Sequence, residues 1–294
     1  MIIINLKGGL GNQMFQFAVA SIVAEKSKQL VKIDNTYYDN VAIGATPRNY
    51  ELSIFDKFFK IASEGERKKF LKNSYLKKIK KKIGVKYARV YKEPSLNYQP
   101  KLLCLNGPIY LEGYFQSYKY LMGWEDYIRK LYSFPIEDLG MKNKSFLKKI
   151  TGSENSVGIH IRRGDYVSEK KFKDFHGICT KEYYLKAIEY FTNTYKNVTF
   201  VFFSDEIDWC EREFSDIGFS TIFVKDNSGV DSWNDLFLMS SCNHNIIANS
   251  SFSWWGAWLN NNSKKQVIAP RNWYANEEAN KSSNDIIPES WIRL

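Results

Sequence analysis

The chain has little of what metal-based and disulfide-based architectures need. Its 294 residues include three histidines and four cysteines. Cys104, Cys179, Cys210 and Cys242 are widely spaced and form no C-x-x-C pair. This excludes a zinc ribbon and argues against a disulfide framework; four isolated reduced thiols are expected. No apolar run approaches the roughly 18 residues that mark a membrane-spanning helix. The opening stretch, MIIINLKGGLGNQ, lacks the basic and long apolar regions of a secretory signal, so a cytoplasmic protein is expected. The sequons at Asn197 and Asn249 are read accordingly as chance matches.

Excess positive charge is also missing from most of the chain. The net charge is +10, but the segment Arg67–Lys86 alone holds ten Lys or Arg and no acid. Without it, 32 of the 42 basic residues remain against 32 acidic ones. Leu71, Tyr75, Leu76, Ile79 and Ile83 recur within it at helical spacing. The segment is read first as a solvated helix face packed on its domain. A basic amphipathic surface lying on anionic membrane is the second reading, and nucleic acid the third.

A composition of 44% hydrophobic and 16% aromatic residues is ample for a core, and the length suits two domains. In the C-terminal half, short apolar runs at 156–161, 198–204, 221–225, 245–249 and 266–270 read as strands. Helical patterns separate them, one of which places Tyr184, Leu185, Ile188 and Phe191 on one face. Strands alternating with helices imply right-handed β-α-β units on a parallel sheet. Such a sheet binds ligands beyond the carboxyl ends of its strands. The N-terminal half also opens strand–turn–helix (MIIINL, GGLG, then a helix from Asn12), with LVKID as the next strand. Residues 35–108 show weak periodicity. The polar stretch 139–155 places the boundary near residue 150, giving domains 1–150 and 151–294.

Three constellations lie at strand ends. HIRRGDY follows the strand 156–161. Arginine forks match phosphate oxygens bidentately and stay charged, so Arg162 and Arg163 suit a phosphate ligand; Asp165 can orient an arginine or accept a proton. In IIANSSFSWWGAWL a strand enters a serine-rich turn, and a helix starts near Ser253. Helix N-termini favour anions, and Ser250 and Ser251 add hydroxyls, while Trp254, Trp255 and Trp258 are read as packing. The third, KGGLGNQ, is neither a P-loop nor a dinucleotide fingerprint, but its glycines allow close backbone approach, and Asn12 sits near a helix start. FFSDE adds Asp205 and Glu206 after a strand, where a ribose hydroxyl or base edge could be read. Together these describe a sugar-nucleotide site better than any one does.

GGLGNQMFQFA, LEGYFQSYKY, HIRRGDY, FSDE and NSSFSWWGAWL, in this order, resemble the bacterial α-1,2-fucosyltransferases of glycosyltransferase family 11. The resemblance covers residues 1 to about 270. It implies an α/β fold of the GT-B type, two Rossmann-like domains facing across a cleft, with the acceptor on the N-terminal side and GDP-fucose on the C-terminal side. It implies transfer of L-fucose, with inversion and without metal or resident cofactor, to the 2-hydroxyl of a galactose-terminated glycan. By motif, Arg162 would hold the diphosphate and His160 would lie beside guanine and phosphates. Ser251 and Phe252 resemble a phosphate-contacting pair, Asp235 the carboxylate that reads the guanine N–H edge, and Asn12 an asparagine facing the donor. Many relatives carry a second Asp where Glu206 stands. For the acceptor proton, Asp165, His176 and Glu169 are candidates in that order, and a strong base is dispensable if GDP departs early. The rivals are another GT-B transferase, a nucleic-acid binder using the basic segment, and a lectin; the expectation is no nucleic-acid partner.

Overall fold

The computed structural model describes residues 1–39, 48–71, 88–164 and 174–294. It divides into two compact units, Met1–Ser133 and Phe134–Leu294. The second unit therefore begins before the polar stretch. Phe134 packs on Trp233 and Phe237, and the helix Met141–Thr151 sends Ile150 into a core with Val201, Phe203 and Leu238. Polarity at 139–155 marks the solvent face of that helix, not a linker.

Each unit is built on an all-parallel sheet. In the first, β1 (Ile2–Asn5), β2 (Val31–Asp34), β3 (Lys60–Ile61), β4 (Arg89–Lys92) and β5 (Ile109–Glu112) lie in the order β3-β2-β1-β5-β4. In the second, β6 (Asn155–Ile161), β7 (Val198–Ser204), β8 (Ser220–Phe223), β9 (His244–Ile246), β10 (Val267–Ala269) and β11 (Ile292–Arg293) lie in the order β11-β10-β9-β6-β7-β8. These are the two Rossmann-like α/β units expected. Strands buried on both faces need no alternation, which is why IIIN and VTFVFFS read as unbroken apolar runs: Ile2, Ile3, Ile4 and Phe200 to Phe203 are fully buried.

The winding reverses in each sheet. From β6 the chain runs outward through β7 to β8, then returns to β9 on the other side of β6 and runs out through β10 to β11. In the first sheet the corresponding pair is β1 and β5. Such reversals leave a crevice outside the carboxyl ends of the two neighbours.

The helices are α1 (Leu10–Lys26), α2 (Glu64–Leu71), α3 (Glu125–Leu131), α4 (Met141–Thr151), α5 (Lys181–Thr194), α6 (Ile207–Phe214), α7 (Trp233–Ser240), α8 (Ser251–Leu259) and α9 (Glu277–Lys281). Helix α1 is largely apolar and buried from Leu10 to Ala24 except at Asn12, its buried Gln13 and Gln16 hydrogen-bonded, as a helix inside a unit must be. In α5 the buried stripe is Tyr184, Ala187, Ile188 and Phe191, and Leu185, expected inside, is exposed. The i, i+3, i+4, i+7 geometry admits Ala187 in its place. Helix α8 starts at Ser251, two residues before the expected position. Trp254 and Trp255 pack as expected, fully buried, with the Trp254 indole donating to the Ile286 carbonyl at 2.7 Å.

Of the basic segment, residues 72–86 lie outside the described residues. Its described start ends α2, where Phe70 is buried and Leu71, expected on the apolar face, is exposed. Arg67 turns inward, 3.7 Å from the buried carboxylate of Asp34. All four cysteines are free. Among the described residues no helix is long and apolar enough to cross a membrane.

Candidate functional site

The winding reversal of the second sheet brings the exits of β6 and β9 side by side. Arg162 and Arg163 leave β6 and meet Asp205 and Glu206, which leave the adjacent β7. The Arg162 Nη1 lies 3.0 Å from Asp205 Oδ2. The other Asp205 oxygen accepts the Arg163 backbone N–H at 3.0 Å. The two arginines then diverge. The Arg163 Nε donates to Glu206 Oε2 at 3.1 Å, and its guanidinium lies 3.9 Å from the centroid of the Trp209 ring. Arg163 is thus folded onto the start of α6, and Arg162 is the arginine that Asp205 orients. Gly164 follows because the turn is tight: a Cβ there would stand 2.5 Å from Asp205 Oδ2. Asp205, expected to read a ribose or base, uses one contact from each oxygen on this turn, and Glu206 Oε2 accepts from Arg163.

His160, the last but one residue of β6, is buried. Burial, then the positive charge of Arg162, pushes its pKa down to about 3, so the imidazole is neutral. Its Nδ1 is buried and has no hydrogen-bond partner among the described residues. Its ring lies 5.6 Å from that of Phe252 in the first turn of α8. The structure therefore brings His160, Arg162, Asp205 and Phe252 together. Ser250, at the N-cap of α8, makes no side-chain capping bond, and Ser251 opens the helix beside Phe252.

Asp235 stands in the first turn of α7. Burial pushes its carboxyl up to about 7, against the lowering effect of a bond from Asn227; the Asn227 amide donates at 2.7 Å. Asn227 is itself paired with Asn143 of α4 by two reciprocal amide bonds of 2.9 Å. A carboxylate with one neutral donor is underpaired for its burial, as a group awaiting donors from a ligand would be. Helices α7 and α8 approach closely at Gly256, where a Cβ would stand 3.0 Å from Met239.

His176 is tied to the β9 exit by Asn249, which the sequence offered only as a chance sequon. The buried Asn249 amide donates to the His176 carbonyl at 2.8 Å and to the Trp273 carbonyl at 3.3 Å. The His176 ring packs on Phe175 and Tyr274. Asn249 is therefore a structural clamp, consistent with reading NSS as no glycosylation site. Asp165 and Glu169 lie outside the described residues.

Asn12 belongs to the first unit, where its Oδ1 accepts from Gln116 Nε2 at 2.7 Å. Gly8 adopts φ +81°, and a Cβ there would collide with the Asn12 amide. The α1 N-terminus carries its own anion: Leu10 N–H donates to Glu51 Oε2 at 2.9 Å. Gln13 completes the brace by donating to Gly8 and Asn49 carbonyls and accepting from the N–H groups of Glu51 and Leu52. Asn227, Asn143 and Glu51 lay in no motif, and Asn249 and Gln13 lay inside motifs but were given no role there; most of their partners lie far away along the chain. Among the described residues no three His, Cys, Asp or Glu side chains converge as a metal site requires.

An arginine oriented at a parallel-strand exit, at a winding reversal, suits a phosphate-bearing ligand, and the family match defines the class as glycosyltransferase. The chain belongs to glycosyl transferase family 11, whose profile matches residues 1–294, as the resemblance implied. It is similar to an alpha-1,2-colitosyltransferase of Escherichia coli, 35% identical over 298 residues spanning 100% of this chain and 99% of the relative. It is also similar to the O-antigen biosynthesis glycosyltransferase WbnK of Escherichia coli, 35% identical over 98% of this chain and 99% of that protein. A solved structure of the alpha-1,6-fucosyltransferase NodZ, soaked with GDP-fucose, is similar over 88% of this chain and 92% of its own, with 13% identity and a TM-score of 0.46.

Proposed function

We propose that this glycosyltransferase moves L-fucose from GDP-fucose to the 2-hydroxyl of a terminal galactose in a cell-surface glycan or its lipid-linked precursor, with inversion and without a metal ion. The observation that carries the reading is Arg162, held by Asp205 at the β6 exit where the second sheet reverses its winding. The second unit takes the nucleotide sugar and the first takes the acceptor.

The chemistry follows from where charge develops. The C1–O bond to the β-phosphate breaks, and its electron pair leaves with GDP. The acceptor oxygen forms the new bond to C1 from the opposite face and gives up its proton. Negative charge grows on the departing phosphate, so the Arg162 guanidinium and the N–H groups opening α8 stabilise the transition state more than the ground state. Neutral His160 lies beside this charge and can donate or accept without adding a competing cation. Asp235 suits the adjacent N1–H and N2–H donors of guanine. Asp165 and His176 are the candidates for the acceptor proton. Activity that survives excess EDTA is the expected outcome; abolition by EDTA and rescue by Mg²⁺ or Mn²⁺ would refute the metal-free mechanism.

A second donor has specific support. The 35% identical relative is named a colitosyltransferase, and colitose is fucose without its 3-hydroxyl. The discriminating experiment offers GDP-fucose and GDP-colitose against a panel of β-galactosides, follows GDP release, and determines the new linkage by NMR. Transfer from GDP-fucose to galactose O2 is expected. Turnover with GDP-colitose alone would reassign the donor; no GDP release with either would refute both. The enzyme would act in the cytoplasm, and contact with anionic lipid is the second reading of the basic segment.

A further inference from the structure

Helix α4 exposes most of its surface: of its eleven residues only Asn143 and Ile150 are buried. Their seven-residue spacing puts both on one face. Ile150 enters the core. Asn143 is a buried amide at a position where a leucine would pack at no polar cost. A buried polar group destabilises unless it is bonded, and the partner of Asn143 is Asn227.

Asn227 lies in the segment that follows β8, at the carboxyl edge of the second sheet. The two amides bond reciprocally at 2.9 Å. Such a pair is satisfied equally well in two opposite senses. A third group breaks the tie: Asp235 Oδ1 accepts an Asn227 N–H at 2.7 Å, and only one sense presents an N–H to that oxygen. Asn143 thus keeps Asn227 Oδ1 turned away from the carboxylate. Both Asn227 hydrogens are spent, one on Asn143 and one on Asp235. Terminal carboxylate torsions are broad and two-fold, so a fixed donor on one oxygen sets the direction of the other. The bond also favours the ionised form, against the burial that raises this carboxyl to about 7. A second tie, Lys142 to Asp226, fastens the same two segments at an exposed site.

Guanine offers two parallel donors, N1–H and N2–H, whereas hypoxanthine offers N1–H alone. Accepting both takes an ionised carboxylate whose plane is fixed; a protonated or rotated one accepts a single donor well. We infer that Asn143 and Asn227 are positioning residues for base selection: the amide pair holds Asp235 as a two-oxygen acceptor and so makes the site prefer guanine to hypoxanthine, an inference that rests on the reading of Asp235 given above. Asn227 acts on the carboxylate directly, and Asn143 acts through Asn227.

The test uses the full-length protein and calorimetric Kd values for GDP and IDP, the diphosphates of guanosine and inosine. The parent should bind GDP about tenfold to a hundredfold tighter than IDP, the scale of one hydrogen bond to a charged acceptor. Asn143→Leu and Asn227→Leu should narrow that ratio to within about threefold, chiefly by weakening GDP. Lys142→Met removes the neighbouring tie between the same segments and should leave the ratio at the parent's value. Should Asn143→Leu melt early, Asn143→Ala carries the same comparison. A ratio unchanged in the asparagine variants, including a parallel loss of both nucleotides, overturns the inference, as does equal narrowing in Lys142→Met. Failure of the Asp235 reading would appear separately, as an Asp235→Asn variant whose ratio matches the parent's. A parent that does not distinguish GDP from IDP overturns both.

Discussion

Exchanging each of the two adjacent arginines for lysine should have opposite consequences. In Arg162→Lys a point charge replaces a planar fork that Asp205 orients at 3.0 Å. Lysine can still reach Asp205 but cannot present two parallel donors to a phosphate. Loss of one preorganised donor at a site of developing charge costs roughly 2.7–4 kcal/mol, so kcat should fall by about two to three orders of magnitude. Melting should change little, because a partly exposed ion pair contributes only ~0.2–1 kcal/mol. In Arg163→Lys the lost features are the contact over Trp209 and the bond to Glu206. These contribute roughly 0.5–2 kcal/mol for the cation–π contact and less than ~1 kcal/mol for the half-exposed pair. At ~2–4 °C per kcal/mol for a chain portion of this size, melting should drop by a few degrees while kcat falls less than tenfold. The assay is GDP release at saturating donor and acceptor, with scanning fluorimetry on the same preparations. Equal losses of turnover in the two variants, or full turnover in Arg162→Lys, would refute the division of labour.

Three further outcomes are expected. The folded pKa of Asp235 lies above its unfolded value, so its burial opposes folding increasingly as pH rises from about 4 to 7; Asp235→Asn should therefore melt higher than the parent at pH 8 while binding GDP more weakly. If GDP affinity is unchanged, Asp235 is structural. Asn249→Ala removes the buried donor to the His176 and Trp273 carbonyls and should lower stability by about 1–3 kcal/mol, measured by urea unfolding; an unchanged midpoint would show that the clamp contributes nothing. Changing Lys77, Lys78, Lys80, Lys81 and Lys82 to Gln should reduce co-sedimentation with anionic vesicles at low salt, at about 1 kcal/mol per lysine, and leave turnover on a soluble galactoside nearly intact. Equal sedimentation would end the membrane proposal.

What could be read from the chain divides along physical lines. Strands β1, β6 and β7 and helix α1 were legible because the buried elements around a parallel sheet are largely apolar. Edge strands β3 and β4 were not: β3 has two residues, both exposed, and β4 has none buried, so neither carries a hydrophobic signal. The strand-end residues were legible as a group, since chemistry at the carboxyl edge follows from fold class. Their roles were less so. Asp205 and Glu206, expected where a ribose hydroxyl or base edge could be read, also hold the arginines. The amides that carry the scaffold left no trace; Asn143 and Asn227 are 84 residues apart. A polar residue satisfied by a distant partner looks, in sequence, like any surface polar residue.

Glu51 gives the α1 terminus a permanent internal counterion, whereas the turn before α8 offers serines and no carboxylate. The two strand–turn–helix starts look like siblings, but on the proposed reading they would answer to different constraints. Around Glu51, substitutions are screened by foldability, because the charge that settles the helix must come from the chain. Around Ser250, on the proposed reading, substitutions would be screened by what the enzyme holds. A lineage drifting toward a new nucleotide sugar would therefore vary the second turn and preserve the first, and divergence between the two would record changes of donor separately from the history of the scaffold.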